Sequence, residues 1–173
     1  SSVRIRPSLL GFITMEFALE KTNQVTTLHI GDISIMSDSQ QEYLEHLPLL
    51  NQDLQGHVLI TGLGLGFVNR FLINRPKIQS VTIVEKYEEV IDMIWDSCPK
   101  DERFNIVHAD AESWDPPMVY DFTWIDSWIG EAIAPPDKWI EQMKEKYLPF
   151  SRQLLFWYPD ENRPHLFEPC HES

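Results

Sequence analysis

Apolar and polar positions change their rhythm near residue 56. Before it, residues 12–20 partly alternate, and residues 25–36 carry Val25, Leu28, Ile30, Ile33 and Ile35. Asn23 and the Gly31-Asp32 pair punctuate these runs. Alternation at period two between turn residues predicts two or three short antiparallel strands, a small β element ahead of the main domain. Residues 1–10 carry no clear signal. Ser39 followed by Glu42 is a capping-box pair, in which each side chain satisfies an otherwise free backbone N–H. It predicts a helix that turns Tyr43, Leu44 and Leu47 inward and stops near Pro48.

After a polar linker at 51–56 the pattern becomes strand, helix, strand, helix. Strands are predicted at 58–61, 81–85, 104–108, 122–126 and 153–157, and helices at 67–73, 88–98 and 137–147. Strands separated by helices of this length need right-handed crossovers, which build a parallel sheet covered on both faces. The chain therefore divides into an N-terminal β element with a helix (1–50) and an α/β unit (51–173), packed together. Sixteen residues follow Trp157, too few for a closing β-hairpin. The last strand is then an apolar edge, which a homodimer or the tail with Leu166 and Phe167 would cover.

Composition narrows the function classes. Fourteen basic against 27 acidic residues give a formal charge of −13, which argues against a nucleic-acid or anionic-membrane surface. No apolar segment approaches a membrane span, and no signal-peptide core is visible. The two cysteines, Cys98 and Cys170, have no metal-ligand or CxxC spacing, and free thiols fit a reducing cytoplasm. The six histidines are scattered, so no metal site is expected.

Candidate chemistry gathers at the predicted strand ends, where open parallel sheets bind ligands. The stretch HVLITGLGLG runs from an apolar strand through Gly62, Gly64 and Gly66 toward a helix. It reads either as a phosphate- or nucleotide-binding turn or as a tight turn with no ligand. Glu85 closes the second strand, where a carboxylate can accept both hydroxyls of a ribose; the alternative is a solvated strand end. His108 and Asp110 follow the third strand and are also open to a plain loop role. Asp126 ends the apolar run FTWID, as a cap or as a group facing a reaction centre. A dinucleotide fingerprint wants its last glycine at position 67, which is Phe67. NAD binding is therefore the weaker reading.

The runs VLITGLGLG, VTIVEK, FNIVHADAESW and YDFTWIDSW resemble, in order and spacing, the core of class I SAM-dependent methyltransferases. The resemblance is strongest to their spermidine-synthase-like branch. The upstream segment TLHIGDISIMSDSQQEYLEHLPLL is similar to the β-hairpin and helix that lead into that branch. The resemblance implies an α/β fold, a Rossmann-like parallel sheet with helices on both faces behind an antiparallel N-terminal element. It further implies that Gly62, Gly64 and Gly66 pass the methionine and ribose parts of S-adenosylmethionine (or its decarboxylated form) and that Glu85 holds the ribose. Asp110 and the Ala111 N–H would meet the adenine, with Tyr87 or Trp114 packed on it or in the core. Asp126 would face the amine end of the cofactor or the acceptor, which makes it the candidate to orient or deprotonate the acceptor, with Glu131 as a second candidate.

Departures are equally specific. Ile60 stands where most methyltransferases have an acid, and Leu65 where spermidine synthases usually place an aspartate. Of the strand-four polyamine motif only Asp126-Ser127 remains. Asp115-Pro116-Pro117-Met118 precedes rather than follows the fourth strand and reads as a turn. The expected activity is methyl transfer from SAM to a small molecule or protein. The alternatives are aminopropyl transfer from decarboxylated SAM and a non-catalytic SAM-binding or interaction module.

Overall fold

The computed structural model describes residues 2–10, 13–22, 25–30, 33–37, 45–129, 134–157 and 166–167. Strands β1 (Ser2–Leu10), β2 (Ile13–Thr22), β3 (Val25–Ile30) and β4 (Ile33–Ser37) form an antiparallel sheet in sequence order. Among the described residues the N-terminal element thus has four strands rather than two or three. The extra one is β1, paired along its length with β2 from Ser2↔Lys21 to Leu10↔Ile13. Val3, Ile5 and Leu9 alternate there with Arg4, Arg6 and Ser8, and Pro7 stands on the apolar register. An edge strand tolerates Pro7 because its outer side carries no ladder.

Helix α1 (Leu47–Leu50) holds Pro48 in its first turn, while the helix predicted to stop near Pro48 falls mostly outside the described residues. A first-turn N–H has no partner inside a helix, and proline loses nothing there. The Ser39–Glu42 box lies outside the described residues.

The second sheet runs β10-β9-β8-β5-β6-β7. Its strands are β5 (Gly56–Thr61), β6 (Ile78–Glu85), β7 (Phe104–His108), β8 (Phe122–Ile125), β9 (Leu154–Phe156) and β10 (Leu166–Phe167). Strands β5 to β9 are parallel. Strand β10 lies antiparallel on β9 through Leu166↔Leu155 and Phe167↔Leu154, so the tail covers that edge. Crossovers carry α2 (Asn69–Leu72), α3 (Glu88–Ile94, with a 3-10 turn after it) and α4 (Asp137–Tyr147). This is the doubly covered α/β architecture that the pattern predicts.

The strands alternate between two cores. Val58, Ile60, Val81, Ile83 and Trp124 pack with Phe17 and Leu28 of the N-terminal sheet, Leu49, and Val90 and Met93 of α3. Leu59, Val84, Ile125 and Phe156 face the other way, onto Trp139, Ile140, Met143 and Tyr147 of α4. One face therefore carries the N-terminal sheet, and the other carries α4.

At the amino ends of the strands, Arg103 donates to the carbonyls of Ile73 (2.9 Å), Arg75 (2.8 Å) and Ile78 (3.2 Å) and pairs with Asp101 (2.8 Å). Arg75 in turn donates to Leu50 O (2.6 Å) and Gln52 O (2.8 Å). Two arginines thus stitch the end opposite the glycine turn. Among the described residues no helix is long and apolar enough to cross a membrane.

Candidate functional site

At the carboxyl ends the ladder continues one residue beyond the strands. Gly62 N–H bonds Val84 O (2.8 Å), Ala109 N–H bonds Glu85 O (3.0 Å), and Asp126 N–H bonds Thr61 O (3.0 Å). The loops after β5, β7 and β8 therefore leave the sheet at one level. Gly62, Glu85 and Asp126 stand together at the central strands, and Asp110 follows the outer strand β7.

The glycine turn is built by left-handed backbone. Gly62, Gly64 and Gly66 have φ of 94°, 52° and 69°. A side chain on Gly62 would place Cβ 2.1 Å from the Asp126 carbonyl oxygen, and one on Gly66 would place it 2.2 Å from Cys98 Sγ. Contacts within the chain itself thus require glycine at both positions. Cys98 donates to Ile94 O (3.2 Å), and burial raises its thiol above the ordinary value.

Glu85 is buried, not a solvated strand end. Its carboxylate accepts the Leu63 N–H (3.2 Å) on one oxygen and the Tyr87 N–H (3.1 Å) on the other. It clamps the glycine turn to the start of α3. Burial raises its pKa, and these backbone bonds partly offset that effect by favouring the charged form. The backbone N–H groups of Lys86 and Gly64 act on the same carboxylate, so its own chain takes up much of its accepting capacity.

Asp110 Oδ1 accepts the Glu112 N–H (2.9 Å), and its Oδ2 lies 3.5 Å from Lys86 Nζ. The Asp110 carbonyl accepts the Ser113 and Trp114 N–H groups (3.0 and 2.8 Å), closing a turn. Ala111 is buried against α4, and its carbonyl accepts Tyr147 Oη–H (2.6 Å). Tyr87 packs on Phe17 of β2 with ring centroids 5.2 Å apart, and Trp114 is partly buried against the α4 core. Both aromatics therefore belong to packing in this structure.

Ile60 is fully buried, and Leu65 packs at the edge of the same apolar cluster. An acid in place of Ile60 would need a buried partner. Asp126 is partly exposed. His46 Nε2 lies 3.3 Å from its Oδ2. Thr61 Oγ1 receives the Asp126 N–H (3.3 Å) and donates to Ser127 Oγ (3.0 Å). Glu131 lies outside the described residues. Among the described residues no cluster of three His, Cys, Asp or Glu could hold a metal.

Sequence reading missed His46. It is a lone buried histidine next to a Leu-Pro pair, and no periodicity marks it. The signal that finds it is tertiary, since its ring lies against Phe67 (4.8 Å) and Trp124 (5.6 Å).

By sequence, neither a protein-family profile nor a curated protein matches the chain. By structure it is similar to spermidine synthase from Thermotoga maritima, with TM-score 0.57 and 15% identity over 88% of this chain. It spans 55% of that enzyme's length. It is also similar to DhpI in a complex with SAM and HEP (TM-score 0.51, 18% identity, 66% of this chain and 51% of that one). The N-methyltransferase NodS from Bradyrhizobium japonicum matches with TM-score 0.53 and 14% identity, over 69% of this chain and 68% of its own. Strand order, glycine turn and these likenesses agree: the chain has the fold of class I SAM-dependent methyltransferases.

Proposed function

We propose that this chain is a SAM-dependent transferase that moves a methyl group to a small-molecule or protein acceptor. The observation that carries the reading is the Glu85 clamp. A buried carboxylate, fixed to the glycine turn by the Leu63 N–H, stands level with Asp126 on one side and the Asp110 loop on the other. These groups suit an adenosyl nucleotide. Glu85 closes β6 where the ribose hydroxyls would lie, and Asp110 and the Ala111 N–H match an adenine edge. Gly62, Gly64 and Gly66 let the turn approach the nucleotide's middle closely.

The nucleotide, when bound, supplies an electrophilic methyl on a sulfonium. The chain's part is to exclude water and align the acceptor. Asp126 orients the acceptor and takes its proton at Oδ1, while His46 engages Oδ2. Glu131 is a second candidate for this role.

Aminopropyl transfer from decarboxylated SAM is the second reading. It is favoured by the reach of the spermidine-synthase likeness, which at 88% of the chain is more than residues 51–173 amount to. The likeness therefore extends into the N-terminal segment. Calorimetric titration with SAM, S-adenosylhomocysteine, decarboxylated SAM and NAD tests both readings. Micromolar binding of the first two, weakened in Glu85→Ala, supports methyl transfer. Preference for the decarboxylated form moves the assignment to aminopropyl transfer. Binding of none of them refutes both.

A further inference from the structure

We propose that Tyr147 is a positioning residue for base recognition, setting the Asp110 carboxylate through the single peptide that joins Ala111 to Glu112. The inference rests on the nucleotide reading above and goes beyond it by assigning a selectivity device on α4, outside the strand-end loops.

The peptide in question is held at both ends. Its carbonyl, on Ala111, accepts the Tyr147 hydroxyl at 2.6 Å, and its N–H, on Glu112, donates to Asp110 Oδ1 at 2.9 Å. In a trans peptide the carbonyl and N–H point in opposite directions within one plane. Fixing the carbonyl from below therefore aims the N–H, and the N–H aims the carboxylate. Tyr147 is fully buried, and burial pushes its phenol well above the usual range, so it remains a donor at any physiological pH. Trp139 holds the same residue a second time, its indole N–H donating to Glu112 Oε1 at 2.6 Å. Tyr147 and Trp139 lie on the buried face of α4, against the core that contains Ala111. The turn itself is closed by the Asp110 carbonyl, so the tyrosine is not needed to form it.

The consequence is chemical selectivity. A carboxylate aimed at the base edge accepts a hydrogen bond from an exocyclic amine and opposes a carbonyl oxygen at the same place. Tyr147 then acts on the difference between adenine and hypoxanthine, not on nucleotide binding in general.

The test uses the full chain and Tyr147→Phe, which removes only the hydroxyl. Both are titrated with S-adenosylhomocysteine and S-inosylhomocysteine, after thermal melting has checked that the variant folds. The wild type is expected to favour the adenine compound about tenfold or more, and Y147F to lose about fivefold for it, with the inosine compound unchanged. Asp110→Asn should lose the same discrimination, and the double variant no more than D110N alone, because the two act through one chain of bonds. Unchanged discrimination in folded Y147F overturns the proposal, as do equal losses for both compounds or additive losses in the double variant. If Y147F does not fold, Trp139→Phe carries the same prediction and the same criterion. If the wild type binds neither compound, the nucleotide reading fails by itself. Amide exchange at Glu112 then decides the positioning role, which faster exchange in Y147F supports and unchanged exchange refutes.

Discussion

His46 and Asp126 stand eighty residues apart in sequence, and their side chains meet at 3.3 Å, from Nε2 to Oδ2. For the carboxylate to accept, the imidazole must carry its proton on Nε2. The ring is fully buried between Phe67 and Trp124, while the carboxylate reaches the surface at the carboxyl end of the sheet. The contact ties the segment before α1 to the end of β8, and it holds one oxygen of the proposed acceptor-facing group.

Asp126→Ala removes that acceptor from a buried donor. It should cost about 1–3 kcal/mol in chemical denaturation. Asp126→Asn keeps an acceptor oxygen and should cost less. With respect to function, D126A should retain affinity for S-adenosylhomocysteine and lose turnover. Wild-type turnover in D126A would remove Asp126 from the mechanism.

Glu85 gives stability a pH signature. Burial holds its native pKa above the ordinary 4.5. As pH rises past 4.5 the unfolded chain releases this proton first, and the native state then binds more protons than the unfolded one. Stability therefore falls with rising pH until native Glu85 also ionises. Glu85→Gln cannot titrate, so the gap between wild type and E85Q in urea unfolding should change in favour of E85Q from about pH 4.5 upward. Parallel curves for the two proteins would contradict a raised Glu85.

The glycine turn contains two kinds of obstacle. For Gly62→Ala the obstacle is backbone, the Asp126 carbonyl, and φ is +94°. The variant should lose about 3 kcal/mol or more, with no single side-chain change restoring it. For Gly66→Ala the nearest atom is the Cys98 sulfur, a side chain. Cys98→Ala in the same chain should recover part of the loss, leaving the strain of φ +69°. Fully additive losses in G66A/C98A would show that the sulfur is not the obstacle.

Arg103→Met keeps the aliphatic stem and deletes the donors to Ile73, Arg75 and Ile78. A loss of about 2 kcal/mol is expected from three carbonyls without that donor. Nucleotide affinity should not move, because the clamp lies at the opposite end of the strands. Weakened binding in a folded R103M would instead reveal coupling across the sheet.

Legibility differed by element for physical reasons. Helix α4 was predicted at its observed bounds, since its apolar positions repeat at helical spacing behind two prolines. Strand β7 was also predicted as observed. The helix predicted at 67–73 forms only over Asn69–Leu72, because the tight turn through Gly66 uses the residues before it. Strand β1 was missed although Val3, Ile5 and Leu9 alternate with Arg4, Arg6 and Ser8, because Pro7 within the run argues against a strand until an edge position admits it. At the site, glycines and acids were readable because strand ends in a parallel sheet expose them in order. Their bonding was not: only the tertiary structure shows Glu85 gripping its own turn through the Leu63 and Tyr87 N–H groups.

The sequence by itself determined the α/β order, the glycine turn and the acids that close β6 and β8, because periodicity and punctuation are local properties of a chain. The tertiary structure alone decided what those groups touch. It placed His46 on Asp126, Tyr147 beneath Ala111, Cys98 behind Gly66 and the tail along β9. Each of these contacts joins segments that share no local pattern. They come together because an apolar sheet buries both faces and leaves its polar ends few places to find partners.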